Sequence, residues 1–196
     1  MYPFAATGNT KDSLYKEVNL PADFESVLID RLAGLDHRYM KDLKINIGNV
    51  LKSQNLNRKE ALLLALGVAV NEKNQALITA FTELAEKEGA DAKELAEVSA
   101  CVSLMNANNV FYRFRHFVKK EFYETAPAGI KMSIMANPVL GKEFFELLSL
   151  MISAINGCEL CITSHEQSVL SHGGTQARIF DAVRLGAIFK SFSVLV

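Results

Sequence analysis

The chain has 196 residues, 21 of them basic and 22 acidic, for a formal net charge of −1. That balance leaves no electrostatic footprint for nucleic acid or an anionic membrane surface. Hydrophobic residues make up 49% while glycine and proline number only 11 and 4, which excludes a disordered or many-turned chain and fits a helical protein with a sizeable core.

The start, MYPFAATGNTKDSLYKEVNL, has no basic segment leading into an apolar run. It does not read as a secretory signal, and a cytoplasmic protein is expected. Phe24 to Leu35 and Tyr39 to Lys52 read as two amphipathic helices divided around Gly34-Leu35-Asp36. Asn57, with Glu60 three residues on, predicts a capped start for a helix from Arg58 to about Lys73. Its apolar stretch, Ala61 to Val70, falls well short of a membrane span. Asn74 to Glu88 reads as the next helix, stopped by Gly89. Ala92 to about Lys119 follows, and its aromatic and polar middle (Asn108, Asn109, Phe111, Tyr112) predicts a break or kink. Pro127, Gly129, Asn137, Pro138 and Gly141 mark a connecting region with a short helical piece. Lys142 to Ile155, Cys158 to His172 and Gln176 to about Ser193 complete the chain, with Gly173-Gly174 between the last two. The expected class is all-α with short loops, a single domain over 1–196 whose first helices lie at about 24–52.

The pattern also repeats at an offset of 85 residues. Leu62-Leu63 aligns with Leu147-Leu148, Ala69 with Ala154, Asn71 with Asn156, Gly89 with Gly174 and Val98 with Val183. A duplicated helical unit is expected, about 56–120 and about 141–196, rather than a solenoid. In this alignment Cys158, Cys161 and His165 stand opposite Lys73, Ala76 and Ala80, so one copy carries chemistry and the other is scaffold.

The chemically specific feature is Cys158-Glu159-Leu160-Cys161 with His165 four residues beyond. Two thiols three residues apart can close into a disulfide and reopen. The thiolate is the nucleophile, and a helix beginning after Asn156-Gly157 offers Cys158 unpaired N–H groups and the positive end of the helix dipole. Spacings of three and four line up Cys158, Cys161 and His165 on one stripe, with His165 as the natural base for Cys161. Glu146, on the preceding helix, is the candidate to orient that imidazole, the third member of a nucleophile–base–orienter set. The chemistry that follows is peroxide reduction. The Cys161 thiolate attacks the O–O bond and becomes a sulfenic acid, Cys158 condenses with it to a disulfide and water, and a dithiol reopens the disulfide by exchange. The rival reading makes Cys158, Cys161, His165 and Glu146 a four-ligand zinc site in a structural or sensor protein. A thioredoxin-like motif would need a βαβ context. Cys101 reads as a buried small hydrophobe, His172 as a helix-terminal cation, and His37 and His116 as structural.

Several segments carry a resemblance: Met132-Ser133-Ile134-Met135-Ala136-Asn137-Pro138, Phe145-Glu146-Leu147, the run from Ser153 through Asn156-Gly157-Cys158-Glu159-Leu160-Cys161, and His165-Glu166. Together they resemble the alkyl hydroperoxide reductase D (AhpD) proteins of the carboxymuconolactone decarboxylase-like superfamily. Asn108-Asn109-Val110-Phe111-Tyr112-Arg113 is similar to that family's mid-chain segment, and the resemblance extends from about Leu35 to the C-terminus. It implies an all-α fold with an internal duplication, assembled as a homotrimer, and a lipoyl-dependent peroxidase with no metal and no tightly bound cofactor. The implied electron donor is dihydrolipoamide on a lipoylated 2-oxoacid dehydrogenase component, served by dihydrolipoamide dehydrogenase and ultimately by NADH. The electrons go to an alkyl hydroperoxide directly or to a partner peroxiredoxin, AhpC. Carried over, Cys161 would be the peroxidatic thiol that forms the sulfenic acid. Cys158 would be the resolving thiol, the proton donor to the leaving alkoxide and the cysteine exposed to partner disulfides, with a Cys158–Cys161 disulfide in the oxidised form. His165 and Glu146 would complete the proton relay. One position departs: where well-known members have a histidine before the second cysteine, this chain has Leu160, which makes a reductase adaptor with little peroxidase turnover the second expectation. Decarboxylase chemistry of the kind the superfamily name carries leaves the two cysteines without a role.

Overall fold

Short polar side chains set half of the helix starts. The computed structural model describes residues 7–196, and the helices among them are α1 (Thr7–Glu17), α2 (Val27–Gly34), α3 (Tyr39–Leu51), α4 (Arg58–Asn71), α5 (Gln75–Lys87), α6 (Ala92–Val118), α7 (Glu121–Thr125), α8 (Lys142–Ile155), α9 (Glu159–Ser171) and α10 (Gln176–Ser193). The described residues hold no strand, and the fold is all-α. Ser26, Asn57, Asn74, Asp91 and Thr175 each accept a backbone N–H at the start of α2, α4, α5, α6 and α10. Each such cap contributes about 1 kcal/mol. Glu60 and Glu94 close reciprocal capping boxes. By contrast α8 and α9 start without a side-chain cap, at Gly141 and Cys158.

Three boundaries differ from expectation. α1 occupies a stretch where no helix was expected, because its apolar stripe is only Leu14 and Tyr15, with Val18 just past its end, too short to show a period. α2 starts at Val27 rather than Phe24 because Ser26 Oγ accepts from Ile29 N–H. α6 runs unbroken through Asn108–Tyr112, where a break or kink was expected. Asn109 Nδ2 donates to Ser153 Oγ at 2.9 Å and its Oδ1 accepts from Asn156 Nδ2 at 3.0 Å, so the polar middle of α6 is its contact with α8 and the turn after it. The short helical piece of the connecting region is a 3₁₀ turn, Ser133–Met135.

The triplets α4-α5-α6 and α8-α9-α10 have helix starts that differ by 84 residues in all three cases. The left-handed positions Lys73 and Gly157, and Gly89 and Gly173, keep that offset. The register is therefore 84 and not 85, and the first-triplet positions matching Glu146, Cys158, Cys161 and His165 are Leu62, Asn74, Leu77 and Phe81.

The triplets interleave. α10 packs on α4 and α8, and α6 packs on the same two helices. α4 is buried all round from Ala61 to Ala69, and α8 from Phe144 to Ser153. At their crossing Gly67 lets the helices approach closely: a Cβ there would stand 2.7 Å from Leu148 Cδ1, and that side chain would have to shift. Buried Glu97 of α6 accepts from Val139 N–H at 2.8 Å and Leu140 N–H at 2.6 Å, just ahead of α8. At the matching position Asp181 of α10 accepts from Ser53 Oγ and Asn55 Nδ2, each at 2.7 Å, just ahead of α4. No helix among the described residues is long and apolar enough to cross a membrane.

Candidate functional site

The site lies where α8, α9 and α6 meet. α8 ends at Ile155 with Asn156 as its C-cap, and Gly157 turns the chain at φ +71°, a conformation that costs glycine little and L-residues more. Cys158 N–H then bonds to Ser153 O at 3.0 Å, and Cys158 becomes the N-cap residue of α9. Cys158 and Cys161 are joined in a disulfide with Cα atoms 5.3 Å apart. Cys161 and His165, one turn apart on α9, both face inward and are buried.

Glu146 projects from α8 to meet them. It is 2% exposed, and a buried carboxylate is tolerated only when its charge is matched. His165 Nδ1 lies 2.6 Å from its Oε2, and Lys142 Nζ donates to its Oε1 at 2.6 Å. Burial pushes the Glu146 carboxyl up, but the hydrogen bonds from His165 and Lys142, with their charges, outweigh burial and hold it below its ordinary value. With Nδ1–H donating to the carboxylate, the imidazole keeps Nε2 as an acceptor, the tautomer a base requires. Lys142 also donates to Met135 O at 2.8 Å, which ties the 3₁₀ turn to the same carboxylate.

Cys161 and His165 open onto a cavity of about 310 Å³. Tyr112, Met132, Met135 and Leu160 form its apolar wall, with Asn108 and Ser164 as polar members. Leu160 and Tyr112 also border a neighbouring cavity of about 400 Å³ reached by Arg115, His116 and Lys119. Leu160, 42% exposed, thus stands between two cavities at the position where the resembling family carries histidine.

All four sequence-derived site residues come together. The implied exposure of Cys158 is a correction: in the disulfide Cys158 is 0% exposed, held in the turn by its bond to Ser153, and Cys161 is the cysteine that borders the cavity. Zinc ligation by Cys158, Cys161, His165 and Glu146 finds no support in the geometry. The sulfurs are bonded to each other, Glu146 is taken by Lys142 and His165, and no three His, Cys, Asp or Glu side chains among the described residues cluster as a metal site. Cys101 is fully buried beside Ser149 Oγ, 3.3 Å away, and burial pushes its thiol up to about 12. His172 caps the end of α9 through Ser168 O, and His116 pairs with Glu159 at 3.4 Å. Sequence reasoning passed over Lys142 and gave Asn108 no role in the site. Lys142 carried a signal: a lysine in the first turn opposes the helix dipole, and Lys four residues before Glu is the weaker order for a helix pair. Helix stability does not explain it.

Fold and site define an all-helical protein with a closely spaced cysteine pair and a carboxylate–imidazole pair one turn along the same helix. The sequence profile of the Carboxymuconolactone decarboxylase family matches residues 123–195. The alkyl hydroperoxide reductase AhpD of Coxiella burnetii (strain Dugway 5J108-111) is 39% identical over 158 residues, covering 79% of this chain and 89% of that protein. The AhpD of Beijerinckia indica is 38% identical over 166 residues (85% and 92%), and that of Maricaulis maris 39% over 171 residues (86% and 96%). The chain belongs to the AhpD family.

Proposed function

We propose that this protein reduces alkyl hydroperoxides with its own two thiols. The observation that carries the reading is Cys161, which borders an apolar cavity, lies one turn from the Glu146-paired His165 and is already bonded to Cys158. In the reduced protein His165 takes the Cys161 proton, and Lys142 and His165 keep Glu146 ionised behind it. The thiolate attacks the terminal peroxide oxygen, and the O–O electron pair leaves with the alkoxide, which takes its proton from the Cys158 thiol. Cys158 thiolate then attacks the sulfenic sulfur, and the departing hydroxide takes the proton stored on His165. Two thiols and one hydroperoxide become a disulfide, an alcohol and water.

Dihydrolipoamide is the proposed reductant. Its first thiolate attacks Cys161, the cysteine that borders the cavity, and releases Cys158 as the leaving thiolate. Supply by a lipoylated 2-oxoacid dehydrogenase component and dihydrolipoamide dehydrogenase, a cytoplasmic location and a homotrimeric assembly belong to the same proposal. Leu160 favours a second reading, an adaptor that passes electrons to the peroxiredoxin AhpC with little peroxide turnover of its own. Mixing reduced protein with cumene hydroperoxide and counting free thiols decides between them. Rapid loss of two thiols per chain, abolished in Cys161→Ser, is expected; retention of both overturns the peroxidase reading, and electron transfer to AhpC despite that retention identifies the adaptor.

A further inference from the structure

The sequence holds six methionines, and Met40, Met105 and Met151 are shut in the core. Met132 and Met135 are placed differently. They bracket the 3₁₀ turn, are half-buried, and belong to the apolar wall of the cavity that Cys161 and His165 border. Leucine would wall that cavity as well, but a thioether adds a nucleophile that peroxides oxidise. Whatever hydroperoxide reaches Cys161 meets the same wall. While the Cys161 thiolate is free, it takes the peroxide. In the disulfide that thiolate is gone, and the two thioethers are the sulfur nucleophiles left in the cavity. Met132 also has a partner for the product, since its Sδ accepts from Asn108 Nδ2 at 3.2 Å. A thioether is a weak acceptor and a sulfoxide oxygen a strong one, so oxidation offers this N–H a better partner.

We propose that Met132 and Met135 are oxidation sites, converted to sulfoxides by the hydroperoxides that the cavity admits while the Cys158–Cys161 disulfide stays closed. The inference rests on the peroxide reading and adds to it a response to scarce reductant. The thioether lone pair attacks the terminal peroxide oxygen, so that the S–O bond forms as the O–O bond breaks. The O–O electron pair leaves with the alkoxide, which then takes the proton of the transferred oxygen. Thioether and hydroperoxide become sulfoxide and alcohol, with sulfur oxidised and the peroxide reduced. Each sulfoxide puts a strong dipole into an apolar wall. An apolar hydroperoxide then loses part of the burial that draws it in. Peroxide that outruns the reductant thereby slows its own access to Cys161.

The test has two arms. In the first, disulfide-form and reduced protein each receive equimolar cumene hydroperoxide, and peptide mass spectrometry locates the added oxygen. In the disulfide form it is expected on Met132 and Met135 and not on Met40, Met105 or Met151. In the reduced form the thiols consume the peroxide and both methionines stay largely unmodified. N-acetylmethionine amide free in solution is the reference for an unconfined thioether. The preference for cumene hydroperoxide over hydrogen peroxide is expected to be several-fold larger at Met132 and Met135 than in that reference. A preference no larger than the reference's, or oxygen spread over all the methionines, overturns the inference. Equal oxidation of the two sites in reduced and disulfide protein overturns the peroxide reading alone. In the second arm the peroxide-treated protein is reduced with dithiothreitol, which reopens the disulfide and leaves sulfoxides in place. Thiol loss on a second addition of cumene hydroperoxide is expected to run several-fold slower than before treatment. The combined variant Met132→Leu, Met135→Leu is expected to show the same rate before and after. An unslowed parent, or slowing that persists in the variant, overturns the effect on access. If the combined variant does not fold, each single substitution is expected to remove part of the slowing.

Discussion

The two helix triplets are one plan put to two uses. At the positions where the second holds Glu146, Cys158, Cys161 and His165, the first holds Leu62, Asn74, Leu77 and Phe81. Leu62, Leu77 and Phe81 are fully buried, and Phe81 packs edge-on against Phe189 with ring centroids 5.0 Å apart. Each such side chain contributes about 1.5–3 kcal/mol by burial. The first and second helices of that triplet are capped by Asn57 and Asn74, whereas their counterparts begin at Gly141 and Cys158 without a side-chain cap. The second triplet gives up apolar burial and capping at these positions, and receives a buried carboxylate bonded to His165 and a turn closed by the Cys158–Cys161 disulfide. Stability concentrated in one copy leaves the other free to carry chemistry.

Glu146→Gln breaks the comparison most severely, since it returns the second triplet to an uncharged core. Thiol loss on mixing with cumene hydroperoxide should slow about a hundredfold. The same variant has a defined effect on stability. The carboxyl is held below its ordinary value of 4.5, so its contribution is present above that pH and disappears as pH falls through the lowered value. Urea titrations of parent and Glu146→Gln should differ at neutral pH and converge on acidification below 4.5. Lys142→Met leaves the carboxylate with His165 alone, and the acid limb of the thiol-loss rate should move up by about one pH unit. Lys142→Arg should restore it, and an unmoved limb in Lys142→Met would reduce Lys142 to a tie for Met135. The smallest effect is expected in the first triplet: Asn57→Ala should cost about 1 kcal/mol in urea titration and leave the thiol-loss rate unchanged.

How much of this was legible in the sequence depended on how local each signal was. Cys158, Cys161 and His165 were legible because helical spacing alone puts them together, and Glu146 because a base seeks an orienter. Asn57 with Glu60 gave the start of α4 for the same local reason. Asn108 and Lys142 were not legible as members of the site, since their partners, Met132 and Met135, reach them from the connecting segment after α7. The polar middle of α6 read as a break because a single sequence does not show Ser153 and Asn156 waiting across the interface. The sequence repeats at 85 rather than 84 because coincident identities, among them Gly89 with Gly174 and Asn71 with Asn156, fall at that offset. Those two amides do meet, at 3.1 Å, but as partners across the interface and not as equivalent positions.

The two carboxylates Glu97 and Asp181 have a consequence for how the chain comes apart. Each belongs to the last helix of one triplet and grips the segment that leads into the first helix of the other. Separating the triplets would take both N–H donors from Glu97 and leave Asp181 with Arg184 alone, and would strip α6 from α8 and α10 from α4 at once. Neither copy of the repeat is thus an independent folding unit: the interlock makes loss of structure in one a loss in both, and the turn that carries Cys158 inherits the cooperativity of the whole molecule.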